Sequence, residues 1–104
     1  MDYNEPQKTK ASFRVLEDNI FCLKDHILFA IFEEGGVVFN IKDRMSYLLN
    51  QTAAGIIDLS DGRNNIRDII SKLARYYEKP EESVRDDVRN FFKNLLERDW
   101  VHVK

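Results

Sequence analysis

Three side chains of this sequence are of types that bind zinc or act as nucleophiles: Cys22, His26 and His102. Cys22 and His26 are close together in the chain, whereas His102 lies near the other end. A zinc site needs about four ligands at characteristic spacings, and a cysteine nucleophile normally belongs to a recognisable motif. We interpret these residues as a semi-buried thiol and two ordinary histidines. We therefore expect no metal, no cofactor and no catalytic site.

The carboxylates occur as adjacent pairs, which suit acid–base chemistry poorly. Neighbouring acids on a helix point in different directions, and Glu81 and Glu82 fall at a predicted helix start, where negative charge favours the dipole. The glycines Gly35 and Gly36 read as a turn, not as a phosphate loop. The sequence therefore predicts a protein that binds a partner and is not an enzyme.

A basic stripe is the most informative charged feature. Arg85, Arg89 and Lys93 recur every four residues on a predicted helix and so share one side of it. They flank an apolar row made of Val88, Phe92 and Leu96. One interpretation is a solvated face beside a core seam. The other is a groove wall with an apolar floor and a basic rim, which suits a peptide with hydrophobic and acidic residues.

The elements that must position these side chains are strands followed by helices. Three short runs are aromatic or β-branched and are joined by tight turns, which predicts an antiparallel meander: Leu28–Glu33, Val37–Ile41 and Met45–Asn50. A weaker run at Ile20–Leu23 is a candidate lead-in strand. Trp100–Val103 is predicted to end the chain as a short extended tail.

Three helices are predicted after the strands. Asn50 is a plausible N-cap for 51–60, and Gly62 stands where a left-handed residue after the helix is wanted. Asn64 or Asn65 is expected to cap the second helix, and Pro80 to lie in the first turn of the third. Both later helices have apolar residues at steps of three and four.

This order predicts an α+β domain, in which a three-stranded antiparallel sheet is followed by three helices in a winged-helix-like arrangement. Residues 1–19 are polar and are predicted to be a flexible N-terminal segment. Residues 20–104 are predicted to form a single domain.

The third strand is predicted to have an unpaired edge. Met45, Tyr47 and Leu49 alternate onto one face, and Ser46 and Leu48 onto the other. The strand contains no proline or charge that would protect its edge. An extended peptide could add there as a further strand, and a second copy could do so equally well and form a homodimer.

Composition limits the partners. The 104 residues carry a net charge of −2, with −4 in residues 1–62 and +2 in residues 63–104. Neither part has the charge of a strong nucleic-acid binder. Residues 1–13 lack the pattern of a secretory signal, and no apolar run has the ~18 residues of a membrane span. We predict a cytoplasmic protein that does not bind membranes.

The stretch YLLNQTAAGIIDLSDG, residues 47–62, resembles the signature of the PqqD-like family, the peptide-recognition domains of ribosomal peptide natural-product pathways. The family pattern has tyrosine, leucine-asparagine, threonine-alanine, an aliphatic or tryptophan, leucine and aspartate-glycine. The resemblance extends over roughly residues 28–103 through the apolar rows of both later helices. One departure is Gly55-Ile56-Ile57, which replaces a frequent aliphatic–tryptophan pair and is expected to alter packing only.

The resemblance implies a winged helix-turn-helix domain that binds a peptide. It implies capture of the leader region of a precursor peptide, which would be presented to a modifying enzyme, often a radical S-adenosylmethionine enzyme, in a pathway such as PQQ biosynthesis. The leader would pair with the third strand and lie against the third helix. The implied peptide-binding residues are Met45, Ser46, Tyr47, Leu48, Leu49, Arg85, Val88, Arg89, Phe92 and Leu96.

Two other functions stay open at this point. A DNA-binding winged-helix regulator would use the basic stripe, but six acids on and just after the same helix would face phosphate at a cost. A regulatory module unrelated to peptide modification would bind a protein but no leader peptide.

Overall fold

The computed structural model describes residues 15–104 of the chain. Within these residues there are six strands and three helices. The strands are β1 (Ile20–Leu23), β2 (Ile27–Phe32), β3 (Gly35–Asn40), β4 (Met45–Leu49), β5 (Asp61–Asn65) and β6 (Val101–Val103). The helices are α1 (Gln51–Leu59), α2 (Ile66–Tyr77) and α3 (Glu81–Glu97).

The predicted meander is confirmed as an antiparallel sheet in the order β2–β3–β4. Its first turn is shorter than predicted, because Phe32 pairs with Gly35 and both glycines belong to β3. Glycine is needed there for close approach: a Cβ on Gly35 would lie 2.2 Å from the carbonyl oxygen of Leu49. Gly35 therefore lets the end of β4 pack close to β3.

A second antiparallel sheet has the order β5–β1–β6, and the predicted scheme of three strands followed by three helices omits it. The candidate strand Ile20–Leu23 is its central strand, and the predicted extended tail supplies β6. β5 was not predicted, because its sequence Asp-Gly-Arg-Asn-Asn is typical of a turn. The strand forms through pairing with β1, which is a tertiary contact.

Asparagine caps begin the first two helices. The side chain of Asn50 accepts the Ala53 N–H at 2.8 Å, as predicted. Of the two candidates for α2, Asn65 is the cap, and it forms a capping box with Asp68. Such caps each stabilise a helix by about 1 kcal/mol.

Two predicted helix boundaries are corrected. The residue after α1, Ser60, closes the helix, and Gly62 has its left-handed backbone (φ 85°) two residues later, inside β5. Pro80 immediately precedes α3 as its cap residue and is not within the first turn. Neither change alters which faces the helices bury.

The core lies between the two sheets and the helices. Phe21 of β1 stacks on Phe92 of α3, with ring centroids 4.9 Å apart. Val15 is also buried in this core, and the main-chain oxygen of Glu17 accepts the N–H of Arg67. The packed unit thus includes residues 15–19, which the sequence assigned to a flexible segment. The rest of that predicted segment, residues 1–14, lies outside the described residues.

None of the helices in residues 15–104 combines the length and the apolar character that crossing a membrane requires.

Candidate functional site

The outer edge of β4 is unpaired within residues 15–104, since β4 is the last strand of the β2–β3–β4 sheet. Main-chain hydrogen bonds alternate in direction along antiparallel strands. The N–H of Ile41 donates to the C=O of His26 at 2.9 Å. Together with the pairing registers of β2 with β3 and of β3 with β4, this bond determines which residues of β4 direct their main-chain groups towards β3. It directs the N–H and C=O of Tyr47 towards β3, and those of Ser46 and Leu48 towards the free edge.

The two faces of β4 differ as predicted. Tyr47 and Leu49 pack against the core, whereas Ser46 is exposed and Leu48 is 83% exposed on the outer face. Met45, at the start of the strand, shares the inner face by alternation but is also exposed. The side chains of a strand added to this edge would therefore point alternately to the inner face, next to the core, and to the open outer face.

Tyr47 is held from three directions. Its hydroxyl donates to Asp43 Oδ2 at 2.7 Å, and this hydrogen bond raises the pKa of the phenol above its ordinary value. Its ring packs edge-on against Trp100. The guanidinium of Arg98 lies 5.8 Å from the centroid of the Tyr47 ring and 5.3 Å from that of Trp100. Edge strand and helix terminus are thereby joined through aromatic and cation–π contacts.

Val88 and Phe92, which were predicted as the apolar floor of a groove, are both 0% exposed. They lie in the core with the rest of the buried stripe of α3. The reason is that α3 packs with the centre of its apolar row against the interior. Their side chains support the surface from inside and do not form part of it.

Arg85 and Arg89 face residues 15–17. Arg85 Nε donates to Glu17 Oε2 at 2.9 Å, and Arg89 donates to the main-chain oxygen of Val15 at 3.1 Å. A helix turns by about 100° per residue, so Leu96 lies on this same side of the buried stripe.

The other side of α3 lies next to β4. By the same helical geometry Phe91 is on that side, as is Arg98 just after the helix, which contacts Tyr47. The structure therefore does not bring Arg85, Arg89 and Leu96 into one groove with β4. Arg98 and Trp100 contact Tyr47 of β4 instead, and neither was among the site residues predicted from the sequence. The available sequence signal was a basic residue just beyond the helix, Arg98, followed shortly by the aromatic Trp100.

Two of the three chemically reactive residues are neighbours in the second sheet. Cys22 of β1 is opposite His102 of β6, and His26 and His102 line one shallow depression with Lys24, Lys42 and Asp99. Across residues 15–104, no three side chains of the metal-binding types come together as a cluster.

Comparison with known proteins gives a family match and curated relatives. Residues 35–101 match the family model described as coenzyme PQQ synthesis protein D (PqqD). A PqqA binding protein of Methylococcus capsulatus strain Bath is 38% identical over 53 residues, which are 51% of this chain and 55% of the relative. A PqqA binding protein of Kluyvera intermedia is 33% identical over 57 residues, 54% of this chain and 60% of the relative. The chain thus spans only a little over half the length of the curated relatives it matches.

Solved structures share the fold. The PqqD truncation of Methylobacterium extorquens PqqCD, described as a stand-alone RiPP recognition element, superposes with a TM-score of 0.73 at 17% identity, covering 95% of this chain and 99% of the other. Lasso peptide synthetase B1 complexed with its leader peptide has a TM-score of 0.70 at 23% identity, covering 80% and 98%. TbiB1 in complex with the TbiA(beta) leader peptide has a TM-score of 0.70 at 16% identity, covering 78% and 94%.

Proposed function

The chain belongs to the PqqD family, the family of coenzyme PQQ synthesis protein D, and we propose that it binds the leader region of a ribosomally made precursor peptide. In this proposal the chain is not an enzyme. It captures the leader by strand addition and presents the precursor to a modifying enzyme. The names of both curated relatives and of two structural neighbours, which concern PqqA or leader-peptide binding, support this function.

The free edge of β4 is the observation that carries the proposal. Ser46 and Leu48 each offer an outward N–H and C=O in a strand without proline or charge. An added peptide strand would satisfy these groups and place alternate side chains on the two faces. Because α1 begins directly after the strand with its Asn50 cap, the edge is held in place before the peptide arrives, and this lowers the ordering cost of binding.

We propose Met45–Leu49 as the strand-pairing part of the site, with Arg98 and Trp100 at its border. Arg85 and Arg89 would contact a leader only after residues 15–17 moved away, and Val88, Phe92 and Leu96 would act by supporting α3. In this arrangement the domain is a winged helix-turn-helix in which the β2–β3–β4 sheet is the wing.

We propose a modifying enzyme as the second partner, with a radical S-adenosylmethionine enzyme as the class that the resemblance suggests. A cytoplasmic location fits a precursor made by ribosomes. A homodimer through two β4 edges would occupy the same hydrogen-bonding groups as the leader, so dimer and leader would compete.

A DNA-binding regulator is the alternative that this arrangement supports less well. Arg85 is bonded to Glu17 and lies 3.6 Å from Glu81, and Arg89 is bonded to a main-chain oxygen. These two basic side chains are thus engaged within the domain and would have to be released to contact phosphate.

The test is a titration of isotope-labelled protein with synthetic leader segments of precursor peptides encoded near it, following each backbone amide. Strand addition predicts shifts concentrated at Met45–Leu49 and around Arg98–Trp100. Leaders that cause no shifts, together with salt-sensitive shifts along α3 on adding duplex DNA, would exclude leader binding and favour the regulator.

A further inference from the structure

A cleft of about 350 Å³ opens between the β2–β3 turn, α1 and α2. Its wall includes Phe32 and Tyr76, which are 51% and 70% exposed. This volume is within the ~300–1,000 Å³ of typical ligand pockets, and exposed apolar groups gathered in one concave place mark interaction sites. None of the lining residues belongs to β4 or to the Arg98–Trp100 segment. The cleft is therefore a separate site from the proposed leader groove.

The floor of this cleft is opened by a glycine inside a helix. Gly55 is in the middle of α1, and a Cβ added there would meet its nearest neighbour, Leu73 Cδ2, at an ordinary 3.6 Å. Packing therefore allows alanine, and glycine in a helix interior costs about 1 kcal/mol relative to alanine. This glycine is also part of the departure from the family pattern. Its effect on the structure is to leave the floor of the cleft open.

The rim of the cleft is acidic. Glu33 and Asp58 line it, and neither carboxylate forms an ion pair with a partner in residues 15–104. The only lysine or arginine of the lining, Lys72, donates to Asn64 Oδ1 at 2.7 Å. With two carboxylates against the one ammonium of Lys72, the lining keeps a net negative charge that favours a cation, while the aromatic wall and open floor complement an apolar side chain.

We propose that this cleft binds a partner protein through one large apolar side chain flanked by lysine or arginine. Such an anchor in a concave apolar site is the usual form of a binding hot spot. The identification of the partner as the modifying enzyme rests on the proposed function, whereas the chemistry of the cleft is independent of it. The two sites share no residue, and simultaneous binding of leader and partner is part of this proposal.

The experiment uses the full labelled chain and two short synthetic peptides of equal length, one with phenylalanine between lysines and one with phenylalanine between glutamates. We expect the lysine peptide to shift the amides of Phe32, Gly55 and Tyr76, and to bind about threefold to tenfold more tightly than the glutamate peptide. Glu33→Gln combined with Asp58→Asn should remove that preference. Asp86→Asn, an exposed acid on α3, is the matched control and should keep it.

Gly55→Leu fills the floor and should abolish the shifts for both peptides, provided that its amide spectrum remains that of a folded chain. The charge variants keep the test valid if Gly55→Leu does not fold. Absence of shifts at the cleft, or equal binding of both peptides, would overturn the proposal. A parallel leader titration separates the two sites. If the lysine peptide binds the cleft and no leader binds, only the proposed function is refuted. If a leader binds and the lysine peptide does not, only the cleft proposal is refuted.

Discussion

Tyr47 of β4 packs edge-on against Trp100, with ring centroids 5.0 Å apart and ring planes at 60°. Trp100 is buried, and its main-chain N–H donates to the main-chain oxygen of Leu95 in α3. The middle of the edge strand is thus attached to the end of the last helix. In the proposed function, a strand held in this way would be a fixed template for a peptide, and the ordering cost of binding would fall mainly on the peptide.

Leu48→Pro removes one outward N–H of β4 and leaves the bonds between β3 and β4 in place, as proline is tolerated on an edge strand. One lost main-chain hydrogen bond is worth roughly 0.5–1.5 kcal/mol. We therefore expect leader affinity to fall by about twofold to tenfold in isothermal titration calorimetry.

Leu48→Ala is the control for this variant, because it retains the N–H and shortens a side chain that is already exposed. Its leader affinity should stay close to that of the unchanged chain. If Leu48→Pro folds normally and binds the leader with undiminished affinity, strand addition at this edge is excluded.

Arg98→Met should weaken the binding of leader segments that carry acidic residues, since it removes a positive charge beside the edge strand. We expect a loss of about threefold, together with a weaker dependence of affinity on salt. Arg98→Lys keeps the charge but not the planar stacking, and its leader affinity should lie between those of Arg98→Met and the unchanged chain. A lower melting temperature with unaltered affinity and salt dependence would assign Arg98 a purely structural role.

Glu17→Gln and Arg85→Gln test the opposite side of α3. In this ion pair the side chain of Arg85 is 32% exposed and that of Glu17 is 23% exposed. Each change should therefore lower the free energy of unfolding, measured in urea, by about 1 kcal/mol. The double variant should lose less than the sum of the two single effects. Leader affinity should be unchanged. An Arg85→Gln chain of normal stability that binds the leader poorly would place the basic stripe in the peptide site.

These two sides of α3 show what sequence could and could not predict. The apolar row, the helix and the meander follow from local periodicity, and they are confirmed. Which side of the row faces β4 depends on where residues 15–17 and Trp100 pack, and those are contacts between distant parts of the chain. β5 escaped prediction for the same reason, since its turn-like residues become a strand only beside β1.

The edge of β4 was predictable because pairing order in a meander follows chain order. Val88 and Phe92 show the limit of this reasoning. A helix with six apolar positions can bury only the centre of its apolar stripe fully, and at about 100° per residue Val88 and Phe92 lie near that centre, so their assignment to a groove floor was wrong on helical geometry alone. Phe91 and Leu96 are at the borders and stay partly exposed.

Gly35→Ala and Gly55→Ala should change stability in opposite directions. A methyl group on Gly35 would collide with the carbonyl oxygen of Leu49, so the end of β4 must move, and we expect a loss of roughly 1–3 kcal/mol. Gly55→Ala has room for its methyl group and should gain about 0.5–1 kcal/mol. Urea unfolding of the two variants measures both. A Gly35→Ala chain as stable as the unchanged chain would show that Gly35 is not needed for the approach of β4, and a destabilised Gly55→Ala chain would contradict only the expectation for Gly55.

Asp99→Asn should reduce the acid sensitivity of the fold. A hydrogen bond from Lys24, with the charges of Lys24, Lys42 and His26, lowers the pKa of the Asp99 carboxyl below its ordinary 3.8 in spite of some desolvation. A lowered folded-state pKa gives stability that is present above about pH 3.8 and is lost as the pH falls through the folded-state value.

Asparagine suits this test because Asp99 has a left-handed backbone (φ 65°), which asparagine also tolerates. We expect Asp99→Asn to be less stable than the unchanged chain at neutral pH and to lose less stability on acidification below about pH 4. Asp86→Asn is the control and should follow the unchanged chain. Thermal unfolding at a series of pH values measures the effect, and parallel curves for Asp99→Asn and the unchanged chain would show that this carboxylate does not link acid to unfolding.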